Sequence, residues 1–383
     1  MNTELVHKVT QAFQEKFGSE PLIISSPGRI NIIGEHTDYN EGFVFPAAID
    51  KGIIAAIGKS SSPNCTAFAL DAQETYEFAL DAIEPITNGN WKNFVVGVVG
   101  ELQKKGIVVQ PFDVVFAGDL PKGAGLSSSA ALENSIVFGL NELFQLNLTK
   151  HEMIAISQKA EHNYVGVRCG IMDQYASMFG VEDSALLLDC RAQESKSYKL
   201  DFKEYGIMLI NTNVSHNLVD AEYNDRRHVC EKVANLLKID FLRDATEEGL
   251  KAIEDQLTPV EYQKALYVLQ ENERVLNSGK AIENDDLDAL GQLLFEAHDG
   301  AQHQFKISCP ELDFLVEQAK MHPQVKGARM MGGGFGGCTI NIVHRDAMDS
   351  YATDISEKYL KTYGKHCSIY KVKLSQGTHL IQN

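Results

Sequence analysis

Between Pro27 and Tyr39 the chain reads PGRINIIGEHTDY, setting Arg29, Glu35, His36 and Asp38 among Ile30, Ile32 and Ile33. Groups of this kind cannot all be buried unless something satisfies their charges and hydrogen bonds, because an unpaired buried charge is strongly destabilising. A solvated loop would satisfy them with water. The isoleucines, followed by Phe43, Val44 and Phe45, instead require a core. Both demands are met by a strand and turn anchored on a core, with the polar groups aimed into a cleft.

A chain of 383 residues exceeds the size at which one core keeps growing, so two domains are expected. The space between domains is where ligands commonly bind. Hydrophobic residues make up 44% and charged residues 23%, the proportions of an ordinary globular protein. No run approaches the roughly 18 apolar residues of a membrane span. The start, MNTELVHKVTQAFQEKFG, reads as an amphipathic helix rather than a leader, so a cytoplasmic protein is expected. Seven cysteines without a C-x-x-C pair read as free thiols and argue against a disulfide framework or a zinc site. A net charge of −17 disfavours nucleic acid and anionic membrane surfaces, which need a positive field. An anionic ligand would need local cations, backbone amides or a bound metal.

From Phe112 the segment FDVVFAG reads as a strand, DLPKGAGLSSS as a loop, and AALENSIVFGLNELFQL as a helix. A second helix, KHEMIAISQKAEHNYVG, closes at Gly166, and IMDQYASMFG follows as a third. Strands are expected at SALLLDC and YGIMLINTNV, and the stretch from about Val219 to Leu290 reads as mostly helical. A boundary near residue 200 divides the chain into residues 1–198 and 199–383.

Three further places carry chemistry. In the loop before the first of these helices, Gly123 and Gly125 permit close backbone approach, and Ser127, Ser128 and Ser129 stand at a helix N-terminus, where free N–H groups bind phosphate. Capping alone would need one serine. Late in the chain Gly332, Gly334 and Gly337 match G-x-G-x-x-G, but they precede the strand-like CTINIV instead of opening a helix. The dinucleotide reading therefore fails, leaving a loop whose amides can lie against a ligand, or a linker. Asp173 is either a helix cap or a reactive base. Cys169 has no evident base partner and reads as a spectator thiol.

Three segments together resemble the galactokinases of the GHMP small-molecule kinase group. GRINIIGEHTDY is similar to the family's signature, LPKGAGLSSSAA to the phosphate-binding motif of the whole group, and GARMMGGGFGGC to its third motif. Order and spacing agree from about residue 20 onward. The resemblance implies an α+β, two-domain GHMP kinase fold, with mixed sheets, helices packed on one side and the active site between the domains. It implies Arg29 and Asp173 as the catalytic pair at the sugar's anomeric hydroxyl, with Glu35, His36, Asp38, Gly170 and Tyr223 holding the other hydroxyls. Gly123, Ala124, Gly125, Leu126, Ser127, Ser128 and Ser129 would wrap the phosphates of ATP. Ser129 and Glu161 would hold Mg2+, although Glu161 alone reads as a surface residue. Trp91 stands where relatives place an aromatic near adenine; a core anchor is the equal alternative. The family commonly has a small hydroxyl residue where this chain has Met331, so a side-chain hydrogen bond there is in question.

The implied activity is ATP-dependent phosphorylation of galactose to galactose 1-phosphate. A kinase of N-acetylgalactosamine or another galactose-like sugar is the nearest alternative. A non-catalytic galactose and ATP sensor is a more distant one, disfavoured because Asp173 and the serines are present. A monomer is expected, with a homodimer as the alternative.

Overall fold

The computed structural model describes residues 2–121, 123–214 and 219–382. In chain order the strands are β1 Leu22–Asn31, β2 Phe43–Val44, β3 Pro46–Lys59, β4 Cys65–Ala69, β5 Glu74–Phe78, β6 Phe112–Gly118, β7 Ser184–Asp189, β8 Glu194–Lys199, β9 Tyr205–Asn211, β10 Val325–Met330, β11 Cys338–His344, β12 Ser368–Lys371 and β13 His379–Leu380. They form a six-stranded sheet in the order β13-β1-β3-β6-β4-β5, a four-stranded sheet β10-β11-β9-β12, and a three-stranded sheet β2-β7-β8. In the first sheet β4 runs parallel to β6 and the other pairings are antiparallel.

Alternation along the strands decides what each face of the first sheet covers. Ile24, Ala55, Ile57, Val114 and Phe116 face one way, into a core with the helices Trp91–Lys104, Ser128–Phe144, Lys150–Ala160 and Met172–Phe179. Ile23, Ile54, Ala56, Val115 and Ala117 face the other way, against Val9 and Phe13 of the helix Thr3–Phe17. Helices thus gather mainly on one side, as expected, and the N-terminal helix covers the opposite face. That helix has the form its sequence predicts: the Asn2 side chain accepts the Leu5 N–H, and Gly18 in the left-handed region (φ 68°) ends it.

The second sheet packs Met208, Ile210 and Val343 against Leu315 and Val316 of the helix Pro310–Met321 and against Tyr351 and Ile355 of the helix Met348–Tyr363. Its other face contributes Leu209, Ile340 and Ile342 to a core that also holds Ile30, Ile32, Ile33 and Phe45. The isoleucines of the Pro27–Tyr39 segment therefore lie in the seam between the two larger sheets. A long helix, Pro259–Glu283, lies over the third sheet and holds the same segment from behind. Glu271 accepts the Gly34 N–H at 2.9 Å, Asn272 accepts the Phe43 N–H at 2.8 Å, and the Tyr267 hydroxyl donates to the Glu35 carbonyl at 3.3 Å. The C-terminal tail returns to the first sheet, where β13 pairs with β1. No described helix is long and apolar enough to cross a membrane.

Candidate active site

Residues from four separate parts of the chain converge on a cavity of about 110 Å³ lined by Arg29, Glu35, His36, Asp38, Glu161, Cys169, Met172, Asp173, Tyr223 and the Gly332–Gly333 turn, with Val167 at its wall. Arg29 reaches it from β1 at a register shift between Pro27 and Arg29, the kind of irregularity that re-aims a side chain. Gly28 makes the approach of the next loop feasible: a Cβ there would lie 2.5 Å from the Leu126 carbonyl oxygen. The Arg29 N–H donates to that same carbonyl at 3.1 Å.

The Arg29 side chain donates through Nε to Asp173 Oδ1 at 2.9 Å, and through Nη1 to the Gly125 carbonyl. Burial opposes its positive charge, yet Asp173, Glu35 and Asp38 outweigh that cost and hold it above its ordinary pKa. Asp173 Oδ2 accepts from the Ser127 hydroxyl at 2.6 Å. Asp173 therefore does not cap the helix Met172–Phe179. Ser127 does not cap its helix either: it precedes Ser128–Phe144 in the left-handed region (φ 58°) and makes no side-chain cap bond. Both local readings lose to a contact between residues far apart in sequence. Gly123 and Gly125 also have positive φ, 68° each, while Ala124 and Leu126 between them do not. Alternation of this kind turns successive N–H groups inward and makes an anion nest at the helix N-terminus.

On the opposite wall Glu35 Oε1 accepts from Arg329 Nη2 at 3.0 Å and from the Gly332 N–H at 2.8 Å. His36, with φ 62°, hydrogen-bonds Tyr39 Oη through Nδ1 at 2.8 Å and the Gly333 carbonyl through Nε2 at 3.1 Å. Its ring centre lies 4.9 Å from that of Tyr223. Burial lowers its pKa to about 4, so it is neutral at pH 7. Burial, and next the Asp173 charge, raise Asp38 to about 6. Gly170 stands directly against Asp38, and a Cβ there would be 2.1 Å from its carboxyl carbon.

Glu161 opens a π-helical turn, Glu161–Val165, that ends at Gly166; such turns often place functional side chains. It is buried, and burial followed by Asp173 raises it to about 7, with Ser129 and Gln174 hydrogen-bonding to its carboxyl group. Gln174 Nε2 also reaches Glu133 at 3.3 Å, whose Oε1 is buried without a hydrogen-bond partner among the described residues. Apart from the Cys169 sulfur, 3.7 Å from Glu161 Oε2, the groups here able to coordinate an ion are oxygens, which suit a hard divalent cation. No cluster of three or more His, Cys, Asp or Glu side chains able to hold a metal occurs among the described residues, so most ligands would have to come from a substrate and water.

Trp91 is not among these residues. It begins the helix Trp91–Lys104, donates to Glu74 at 2.8 Å, and packs edge-on against Phe116. Cys169 lines the cavity, but burial, and next Glu161, raise its thiol well above the ordinary value, so it holds no thiolate at pH 7. Met331 is buried, and its Sδ accepts the Asn31 N–H at 3.4 Å. The thioether thus occupies a hydrogen-bonding position, though sulfur is a weak acceptor. Nothing local in the sequence marks Gln174, and Arg329 is marked only by its position within GARMMGGGFGGC.

The chain matches the family model described as the galactokinase galactose-binding signature over residues 11–59. It also matches the N-terminal domain of GHMP kinases over 93–181 and their C-terminal domain over 280–361. It is 38% identical over 358 residues to a galactokinase of Thermotoga petrophila, covering 94% of this chain and 99% of that one. A galactokinase of Haemophilus influenzae is 38% identical over 382 residues, covering 98% and 99%. Among solved structures, Lactococcus lactis galactokinase complexed with galactose superposes with a TM-score of 0.93 at 32% identity, covering 97% of this chain and 98% of that one. A Methanococcus jannaschii mevalonate kinase shares the fold alone, at TM-score 0.64 and 16% identity over 94% and 99% of the two chains. With signature, near-complete relatives and fold in agreement, this chain belongs to the galactokinase family of the GHMP kinases.

Proposed function

We infer that the protein transfers the γ-phosphoryl group of ATP to the anomeric hydroxyl of galactose, giving galactose 1-phosphate and ADP. The observation that carries this is the Arg29–Asp173–Ser127 chain of hydrogen bonds, which joins a polar cavity to a glycine and serine turn at a helix N-terminus. Phosphoryl transfer asks a protein chiefly for positioning and charge stabilisation. In this reading Asp173 accepts or orients the anomeric proton, and Arg29 lies beside both the reacting hydroxyl and the incoming phosphoryl group. Glu35, Asp38, neutral His36, the Gly170 backbone and Tyr223 bind the remaining hydroxyls; carboxylates suit this because they only accept hydrogen bonds.

Residues Gly123 to Ser129 cradle the phosphates, with Trp91 toward the adenine. Ser129 and Glu161 hold Mg2+, which when bound neutralises phosphate charge. The proposal includes a division into domains near residue 199, the C-terminal tail rejoining the first. It also includes a monomer acting in the cytoplasm, supported by seven free cysteines, five of them buried.

The test is ADP release with ATP, magnesium and, in turn, galactose, N-acetylgalactosamine, glucose and mevalonate. Release with galactose well above the others is expected. Calorimetric binding of galactose without release from any of them would make the protein a sensor and overturn the reading.

A further inference from the structure

Arg329 is among the largest fully buried side chains of the molecule, at 2% exposure. A guanidinium so placed is tolerated only if it is fully hydrogen-bonded. Its donors go to four acceptors: the carbonyls of Ile32 at 2.7 Å, Asn31 at 2.6 Å and Met330, and Glu35 Oε1. Asn31 and Ile32 lie where β1 leaves the first sheet, Met330 ends β10, and Glu35 lines the cavity. One side chain thus ties the exit of the first sheet, the start of the third glycine loop and a pocket carboxylate into one unit.

The arrangement is directional. Glu35 Oε1 takes two donors, Arg329 and the Gly332 N–H, whereas no described residue donates to Oε2. A carboxylate with one oxygen held from the protein side presents the other to the cavity. The Gly332 end of the unit also touches the phosphate turn. A Cβ on Gly332 would lie 3.5 Å from the Gly125 carbonyl oxygen, the group that accepts from Arg29.

We propose that Arg329 is a positioning residue for the sugar: through Glu35 Oε1 it fixes the direction in which Oε2 meets a hydroxyl of galactose. The proposal rests on the galactose reading above. Among the described residues Glu35 is the one side chain that Arg329 hydrogen-bonds, its other acceptors being backbone carbonyls, so its influence on the sugar passes through Glu35. Galactose affinity should respond to the pair as one unit, and the response should fall on galactose far more than on ATP.

The test is a double-mutant cycle with Arg329→Lys and Glu35→Gln, reading galactose affinity by calorimetry and KM for both substrates. Lysine keeps the charge but cannot span four acceptors in a fixed fork. The expected result is a 10- to 100-fold loss of galactose affinity in each single variant, on the order of the worth of one charged hydrogen bond. ATP KM should stay within about threefold, and the double variant should bind no more weakly than Glu35→Gln alone. Losses that multiply in the double variant, or that fall equally on ATP, would overturn the proposal while leaving the galactose reading intact. Normal galactose affinity in Glu35→Gln would overturn both.

Should Arg329→Lys not fold, the wild-type protein labelled with [15N]arginine supplies the answer. Saturating galactose should shift the Arg329 guanidinium resonances, and an unmoved signal would remove Arg329 from sugar positioning.

Discussion

Replacing Gly170 with alanine should damage sugar binding selectively. The new methyl would sit 2.1 Å from both Cγ and Oδ2 of Asp38 and 2.7 Å from its Cβ, against an ordinary contact of about 3.5–4.0 Å. Something must therefore move by more than an ångström. Gly170 does not occupy the left-handed region, so the substitution introduces no backbone strain and the clash is its whole effect. The backbone of Asp38 is held in the short turn Asp38–Asn40, which makes its carboxylate the element that gives way.

A displaced Asp38 loses one or two charge-assisted hydrogen bonds, each worth about 1.5–3 kcal/mol. That corresponds to a loss of galactose affinity of roughly 10- to 150-fold per bond. Thermal stability should fall by only about 1 kcal/mol, since the displaced group can turn into a cavity. Initial rates with each substrate varied in turn, calorimetry with galactose, and a thermal melt give the three readouts. A galactose KM within twofold of wild type, with an unchanged melt, would show that Asp38 does not hold the sugar. An equal loss for ATP would show that the clash collapses the site as a whole.

Asp173→Asn keeps the shape of the site and should cut kcat by roughly 10²–10⁴-fold with galactose affinity within tenfold; near-normal turnover would remove Asp173 from the chemistry. Ser127→Gly should separate folding from function. Glycine relieves a left-handed conformation that costs other residues about 1 kcal/mol, so the melting temperature should hold or rise while kcat falls for want of the 2.6 Å bond to Asp173; unchanged kcat would deny that bond a role. Asp38, raised to about 6 by burial, binds a proton more readily in the folded than in the unfolded chain. Its contribution to stability is therefore present below about pH 4 and lost as pH rises through 6. The rise from 3.8 to about 6 corresponds to roughly 3 kcal/mol at most. Ligand-free Asp38→Asn should accordingly be more stable than wild type at pH 8, with the gain vanishing near pH 4, as urea melts at both pH values would reveal. His36, lowered to about 4, acts in the opposite sense: its stabilisation holds above pH 6.5 and is lost as pH falls through 4.

The sequence makes plain those parts of the site whose logic is local. The glycines and serines of residues 123–129, the polar run of 35–38 and the glycine loop of 332–337 each announce a ligand by composition, and the helices from Lys150 and Pro259 begin at capping boxes. What stays hidden depends on contacts across the chain. Arg329 looks like one arginine in an apolar strand until its partner Glu35, 294 positions away, comes alongside. Local rules leave a cap open for Ser127 and Asp173 beside a role at a ligand, and only tertiary contact decides against the cap in both. Glu161 looked solvated because no periodicity marks the π-helical turn that carries it inward. Strand β13, of two residues, is too short to carry any pattern.

The pairing of β13 with β1 matters most while the protein is being made. Ile24 and Ser25 leave the ribosome early, and their partners Leu380 and His379 follow only after the whole of the intervening chain has been made. At about 5–20 residues per second, β1 waits on the order of tens of seconds with one edge unpaired. An uncovered edge can recruit a strand from another nascent chain. Ser26, whose hydroxyl lies 2.9 Å from that of Thr378, waits for the same late arrival. The exposure ends when β13 docks, so the yield of native protein should depend on Thr378, His379 and Leu380 far more than so short a segment suggests.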